Sequence, residues 1–547
     1  MSEEETVVYS CYCALSEDEI KEVRGELKEV DGVKDVLDGY DLCSASGQED
    51  LIKEIKEKGI KRLLLLCSAS KLPDLTFDRV LRETGVDPII IPLKGKEDLV
   101  ERVKEAISST PSPKTTRKVV PAALVIGGGI AGIQASLDIA DAGFKVYLVE
   151  REPSIGGHMS QLDKTFPTLD CSACILTPKM VDVPRNENIE LITYAEVTKV
   201  EGEAGDFHVT VVKKPRYVDE NKCTGCGVCA EVCPVYFKSE FNMELGVRKA
   251  AFVPFPQAVP LKYTLSRDAC MRCGLCKIAC EAGAIDYDQK ETVYELNVGC
   301  IVVATGYDQF DARLKPEYGY GKYDNVITGL EFERMVSPSG PTGGKVLING
   351  KPPTKVVFIQ CVGSRDKNHN PYCSRVCCMY AAKQAHLIRE KVHDAEITIC
   401  YMDVRAFGKG YEEFYERVQR ERVLYVRGNP SEIYKRGDML VVRGEDTLTG
   451  EAYEREADLV VLATGITPRA DSKAVAELLG LDLDENGFFR EIDPQHAIDT
   501  PREGVFLAGC CQSPKDIPDT VAQASGAAAK AAIFLSRSKK AEEEVLA

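Results

Sequence analysis

Two runs of cysteine constrain this chain more than any other feature. Cys223-x2-Cys226-x2-Cys229-x3-Cys233 is followed by proline, and Cys270-x2-Cys273-x2-Cys276-x3-Cys280 repeats the spacing. Three thiolates at two-residue gaps wrap three irons of one 4Fe–4S cubane, and the fourth cysteine of each run reaches the other cubane. Cluster one therefore takes Cys223, Cys226, Cys229 and Cys280, and cluster two takes Cys270, Cys273, Cys276 and Cys233. Gly225, Gly227 and Gly274 permit the tight turns. With 22 cysteines in 547 residues, three more at fixed offsets arise by chance ~6 times in 100,000 per starting cysteine. Two such runs exclude chance. Zinc sites pair their cysteines across a longer gap.

No apolar run approaches the roughly 20 residues that cross a bilayer, and Met1–Tyr9 is acidic where a secretion signal is basic and then apolar. The expectation is a cytoplasmic protein without membrane insertion. Thiols there stay reduced, which argues against a disulfide framework. The net charge of −17 gives nucleic acid no electrostatic hold.

The second chemical signature is Ala123-Leu-Val-Ile-Gly-Gly-Gly-Ile-Ala-Gly132, a buried strand feeding a glycine turn and a helix. Gly127, Gly129 and Gly132, with Ala131 between them, make the tight turn, admit a pyrophosphate to the helix N-terminus and let helix pack on strand. Glu150 ends the next strand, placed for a ribose hydroxyl, with Arg151 beside it. Three further features resemble flavoproteins with two dinucleotide domains and favour FAD: Gly156-Gly157, the strand endings Ile301–Gly306 (with Thr305) and Leu459–Gly465, and Gly504-Val-Phe-Leu-Ala-Gly509. That class carries an acidic residue after the last glycine. Here it is Cys510, which questions the ribityl contact.

The chain divides into an N-terminal α/β iron–sulfur domain (1–110), a first part of the FAD domain (119–215) and an inserted ferredoxin-like domain (216–290). A second FAD part (291–340), a degenerate nucleotide-binding-like domain with a cluster-binding loop (341–465) and a third FAD part with a tail (466–547) follow. Ser108–Lys118 is Ser/Thr/Pro-rich and reads as a linker. In the fifth segment the strand Lys355–Gln360 runs into Cys361-Val-Gly-Ser-Arg365 where a glycine turn would hold NAD(P)H, so that cofactor is not expected there. Cys361, Cys373, Cys377 and Cys378 crowd this polar stretch, the last three opening a helix whose positive end favours thiolates. They read as a third cluster.

Together with Leu169-Asp-Cys-Ser-Ala-Cys-Ile-Leu-Thr-Pro-Lys-Met180 and Pro514-Lys-Asp-Ile-Pro-Asp-Thr-Val-Ala-Gln-Ala524, these features resemble the A subunits of soluble heterodisulfide reductases, flavin-based electron-bifurcating proteins of methanogenesis. The resemblance covers nearly the whole chain. It implies a thioredoxin-reductase-like α/β fold with two dinucleotide domains, an inserted α+β ferredoxin-like domain and a small N-terminal α/β domain. It also implies an N-terminal cluster, for which Cys11, Cys13, Cys43 and Cys67 are the available ligands, making four clusters and one FAD. Lys515 and Asp516 match the family's turn, where Lys515 offers charge to the flavin. Cys171 and Cys174 form a C-x-x-C pair that can be a redox dithiol, extra cluster ligands or plain packing, and a role beside the flavin is the favoured reading. His158 packs either at the cofactor or elsewhere. Longer members carry a further C-terminal ferredoxin domain, for which this sequence has no counterpart after the helix at Ser525–Leu535.

The implied function is electron transfer, with bifurcation, in a complex with B and C subunits, a hydrogenase- or formate dehydrogenase-linked donor, ferredoxin and a second copy of the chain. Disulfide chemistry falls to the partners. Two alternatives are an NAD(P)H:ferredoxin oxidoreductase resembling the glutamate synthase small subunit, and a conduit that does not bifurcate.

Overall fold

A computed structural model describes residues 6–11, 17–67, 77–86, 88–92, 99–108 and 119–546. Cys13 and nearly all of the expected linker lie outside them. The chain forms two compact units, 1–117 and 118–547.

The first unit is a four-stranded parallel sheet in the order Val33–Gly39, Thr6–Cys11, Arg62–Cys67, Ile89–Pro92. Four consecutive leucines, Leu63–Leu66, are buried, because a parallel strand is covered on both faces and reads as an unbroken apolar run. Cys11 and Cys67 end adjacent strands in register, Ser10 lying opposite Leu66. Cys43 immediately precedes Ser44, which caps the helix Ala45–Lys58 by accepting the Gly47 N–H at 3.0 Å. Residues scattered in sequence are thus carried to the carboxyl end of one sheet, where open α/β sheets bind their ligands.

In the second unit, a five-stranded parallel sheet runs in the order Val505–Leu507, Cys300–Val303, Ala122–Ile126, Lys145–Glu150, Ile189–Thr193. A three-stranded antiparallel sheet (Thr292–Val298, Asp206–Lys213, Ala195–Glu203) stands beside it. The period-two pattern at Ile189–Lys213 suggests one hairpin. Ile189–Thr193 instead forms the fifth parallel strand, and the hairpin begins at Ala195. Cores on the two faces of the parallel sheet bury Val125, Ile133 and Leu148 on one side, and Leu124, Val149 and Phe207 on the other.

A second five-stranded parallel sheet runs Val326–Thr328, Leu459–Thr464, Lys355–Val362, Glu396–Tyr401, Val423–Arg427, again with a three-stranded antiparallel companion. The 291–340 segment is shared. Cys300–Val303 joins the first parallel sheet, whereas Val326–Thr328 and the helix Gly329–Val336 belong with the second.

The cysteine-rich insert leaves and re-enters through paired positions, since Lys213 lies opposite Thr292 on antiparallel neighbours. It is an elongated hairpin connection. Arg216 fastens its base. The guanidinium is 1% exposed, donates to Pro153 O (2.7 Å) and Thr193 Oγ1 (2.6 Å) of the host and Thr264 Oγ1 (2.9 Å) of the insert, and pairs with Glu220 at 2.9 Å. Removing one partner of a buried ion pair costs about 3 kcal/mol. Arg216→Leu is therefore expected to destabilise the second unit by that order in denaturant unfolding, with the insert becoming protease-sensitive first.

Candidate functional site

A cavity of about 1210 Å³ opens at the carboxyl end of the first parallel sheet, larger than the roughly 300–1,000 Å³ that holds drug-sized ligands. Its floor is the glycine turn. Gly127 has φ +107°, and a Cβ there would sit 2.4 Å from Ala304 O. Gly129 caps the helix Ile130–Asp141, and a Cβ there would meet nothing within 4 Å. That free space faces the positive end of a twelve-residue helix, a cradle for a pyrophosphate. Gly132 lies behind, its virtual Cβ 1.8 Å from Gly127 O. Gly156, at φ +129°, braces the turn by donating to Gly128 O at 2.8 Å, and Gly509, at φ +78°, sits against Ala131.

Glu150 lines the cavity with both carboxylate oxygens engaged, by the N–H groups of Gly128 (2.6 Å) and Glu152 (2.8 Å). Burial nevertheless pushes it up to about 7 from 4.5. A raised folded value means stability that is full below about pH 4.5 and lost as pH rises through about 7. The protein stripped of dinucleotide should thus melt lower at pH 8 than at pH 5, and Glu150→Gln should remove that part of the slope in paired thermal melts. Arg151, also at the cavity, reaches across the fold to Asp471 at 2.6 Å.

Thr305 and Gly306 line the opposite wall, and Thr305 Oγ1 is buried without a hydrogen-bond partner. A buried hydroxyl left unsatisfied is costly and points to a ligand group. With the open cradle at Gly129, this fits FAD. His158 faces the cavity too, its Nδ1 2.7 Å from Gln161 Oε1 and its Nε2 3.0 Å from Tyr307 O, the ring 4.5 Å from Tyr307. Lys515 bonds Gln512 Oε1 (2.5 Å) and Ser513 Oγ (2.7 Å), and burial pulls its pKa down. Asp516 accepts from Tyr411 at 2.5 Å. Cys510, standing where the acidic residue was expected, lines the cavity and donates to Lys515 O at 3.3 Å.

The sequence reading missed the third wall. Glu333 and Lys383 are 1% exposed and lie 2.8 Å apart, with Gln384 Nε2 donating to Glu333 at 2.7 Å. All three line the cavity. No sequence signal marks them, since both helices carry several other charged residues. The insert supplies the fourth wall, notably Phe241 stacked at 4.7 Å on Phe255.

Within the insert, Cys233 gathers with Cys270, Cys273 and Cys276 around one small cavity. Cys223 and Cys229 are buried beside Tyr263, and Cys280 packs in the same core. In the second parallel sheet, Cys361 is held at φ +58° at the strand end, Cys373 lies in the following loop, and Cys377 and Cys378 open the helix Cys377–Lys391. Only the last two cysteines therefore belong to the helix. Gln360 is buried beside them. Its Oε1 accepts from Cys378 at 3.4 Å and its Nε2 has no hydrogen-bond partner. Among the described residues no group of three or more His, Cys, Asp or Glu is arranged to hold a single metal ion. A cubane asks something else, one thiolate for each of its irons.

Cys171 and Cys174 do not line the cavity. They are exposed and joined as a disulfide at the start of the helix Ser172–Arg185.

Family models match in three places: FAD dependent oxidoreductase over 123–170, 4Fe–4S binding domain over 216–237, and pyridine nucleotide-disulphide oxidoreductase over 375–529. The chain is 50% identical to the iron–sulfur A subunit of the CoB–CoM heterodisulfide reductase of Methanocaldococcus jannaschii, over 96% of this chain and 85% of that one. It is 47% identical to the A subunit of the H2:CoB–CoM heterodisulfide,ferredoxin reductase of Methanothermobacter marburgensis, over 100% and 87%. Among solved structures, T. acidophilum thioredoxin reductase aligns with 77% of this chain and 99% of its own at 16% identity, with a TM-score of 0.43.

Proposed function

The chain belongs to the family of heterodisulfide reductase A subunits, FAD- and 4Fe–4S-dependent oxidoreductases, and from that premise we propose that it divides electron pairs from a donor subunit between ferredoxin and a disulfide-reducing partner. One observation carries the reading. The cavity that suits FAD is walled on one side by the cluster-bearing insert and on another by the helix that Cys377 and Cys378 open, through Tyr380, Lys383 and Gln384. FAD supplies the exchange between two-electron and one-electron carriers, and the clusters accept single electrons at potentials tuned by charge, hydrogen bonds and exposure.

The chain's own residues hold these groups apart and dry. Gly127, Gly129 and Gly132 shape the pyrophosphate cradle, Glu150 faces the ribose, and Lys515 and the Glu333–Lys383 pair place charge at the cavity wall. The ligand sets are Cys223, Cys226, Cys229 and Cys280; Cys270, Cys273, Cys276 and Cys233; Cys361, Cys373, Cys377 and Cys378; and, from the N-terminal segment of the sequence, Cys11, Cys13, Cys43 and Cys67. B and C subunits and a hydrogenase- or formate dehydrogenase-linked donor complete the assembly in the cytoplasm, around two copies of this chain. Among the described residues no helix is long and apolar enough to cross a membrane.

The test uses the assembled complex. Ferredoxin reduction should require the disulfide acceptor to be present and stop when it is withheld. Ferredoxin reduction at an undiminished rate without the acceptor would identify a simple conduit. Mixing with NADH or NADPH should leave the flavin oxidised, and rapid bleaching would instead select the NAD(P)H:ferredoxin oxidoreductase.

A further inference from the structure

The exposed Cys171–Cys174 disulfide is unused by the electron path above. It closes a ring of only four residues. Chain-entropy stabilisation by a cross-link grows with the loop it closes, so this one restrains the unfolded chain least and makes a poor staple. Its surroundings suit chemistry better. Cys171 caps a fourteen-residue helix, its sulfur accepting the Cys174 N–H at 3.2 Å, and a thiolate at a helix N-terminus is stabilised.

Its place in the fold separates it from the cavity. Residues 163–172 form a narrow hairpin in which Lys164 bridges Cys171, Thr165 N donates to Asp170 O at 2.8 Å, and Ser172 N donates to Asp163 O at 3.0 Å. The near strand, Lys164–Phe166, lines the cavity, and Lys164 O accepts from Lys383 Nζ at 2.8 Å. Cys171 is on the far strand, and both sulfur-bearing residues face solvent.

We propose that Cys171 and Cys174 are a two-electron thiol–disulfide exchange site on the outer surface, reduced by an external dithiol and not by the flavin. A thiolate of the donor attacks Cys174 Sγ, the S–S bond breaks, and Cys171 leaves as a thiolate and takes a proton. The donor's second thiol then resolves the mixed disulfide. The donor departs as a disulfide, having delivered two electrons and two protons to the pair.

The holoprotein is equilibrated anaerobically in dithiothreitol buffers of graded reduced-to-oxidised ratio, trapped with N-ethylmaleimide and mapped by peptide mass spectrometry. Cys171 and Cys174 should become labelled together, with a tenfold rise in the buffer ratio giving a tenfold rise in the reduced-to-disulfide ratio. Photoreducing the flavin without dithiol should leave the pair unlabelled. The variant Cys171→Ser/Cys174→Ser should keep wild-type iron and flavin. Loss of about four irons from that variant would make the two cysteines cluster ligands and overturn the proposal. A pair that no dithiol concentration opens, one that labels one cysteine at a time, or one that opens on photoreduction would overturn it equally.

Discussion

Anaerobically purified protein is expected to contain about sixteen irons per FAD, four cubanes of four, and Cys377→Ser to lower the count to about twelve with the flavin retained. The thiol of Cys377 is buried, 4% exposed, at the first position of a fifteen-residue helix. A cubane with four thiolates carries net negative charge, and the N-terminal end of that helix offers it partial positive charge of about half a unit. The backbone around it is costly to build. Cys361, Arg365 and Arg375 hold φ between +55° and +64°, and non-glycine residues there cost about 1–3 kcal/mol each. A serine at 377 removes one iron ligand in a site that water cannot readily reach, so the cluster should be lost rather than exchanged. Iron and flavin assays with electron paramagnetic resonance of the reduced variant decide the matter. A wild-type count near eight irons would remove both the third and the N-terminal cluster. A variant that keeps its full iron would remove the third alone.

How far the sequence reveals this arrangement depends on whether chemistry is local. The insert's cysteine runs carry their geometry in their spacing, and the glycine turn carries its own in three residues. Strands such as Arg62–Cys67 and Ile89–Pro92 are legible too, because parallel strands covered on both faces are continuous apolar runs. Cys11, Cys43 and Cys67 illustrate the opposite case. Only the pairing of Thr6–Cys11 with Arg62–Cys67 makes neighbours of residues 56 positions apart. Glu333 and Lys383 are invisible for the same reason, since a charged residue in a helix ordinarily faces water. Their meeting depends on two helices packing beneath the cavity. The hairpin at Ile189 failed by one strand because alternation describes an edge strand of a parallel sheet as well as a hairpin arm.

Gly132→Ala and Gly129→Ala, two substitutions of one methyl group three residues apart, should both weaken flavin binding but differ in stability. At Gly132 the new Cβ would lie 1.8 Å from Gly127 O, a main-chain atom that cannot rotate away. Either the helix Ile130–Asp141 lifts from the strand Ala122–Ile126, or the turn opens. Overpacking of this kind costs about 1–3 kcal/mol, and both adjustments spoil the cradle. Gly132→Ala should be isolated without flavin, with a lower melting temperature and iron close to wild type. At Gly129 a Cβ meets no protein atom and φ is −74°, ordinary for any residue, so the fold should keep its stability. The methyl group would occupy the space that suits the pyrophosphate, and FAD affinity should fall at least tenfold in equilibrium dialysis. If Gly129→Ala bound FAD as wild type does, the dinucleotide would not lie on this helix. A Gly132→Ala protein that kept its flavin would show that the turn yields more readily than its close contact implies.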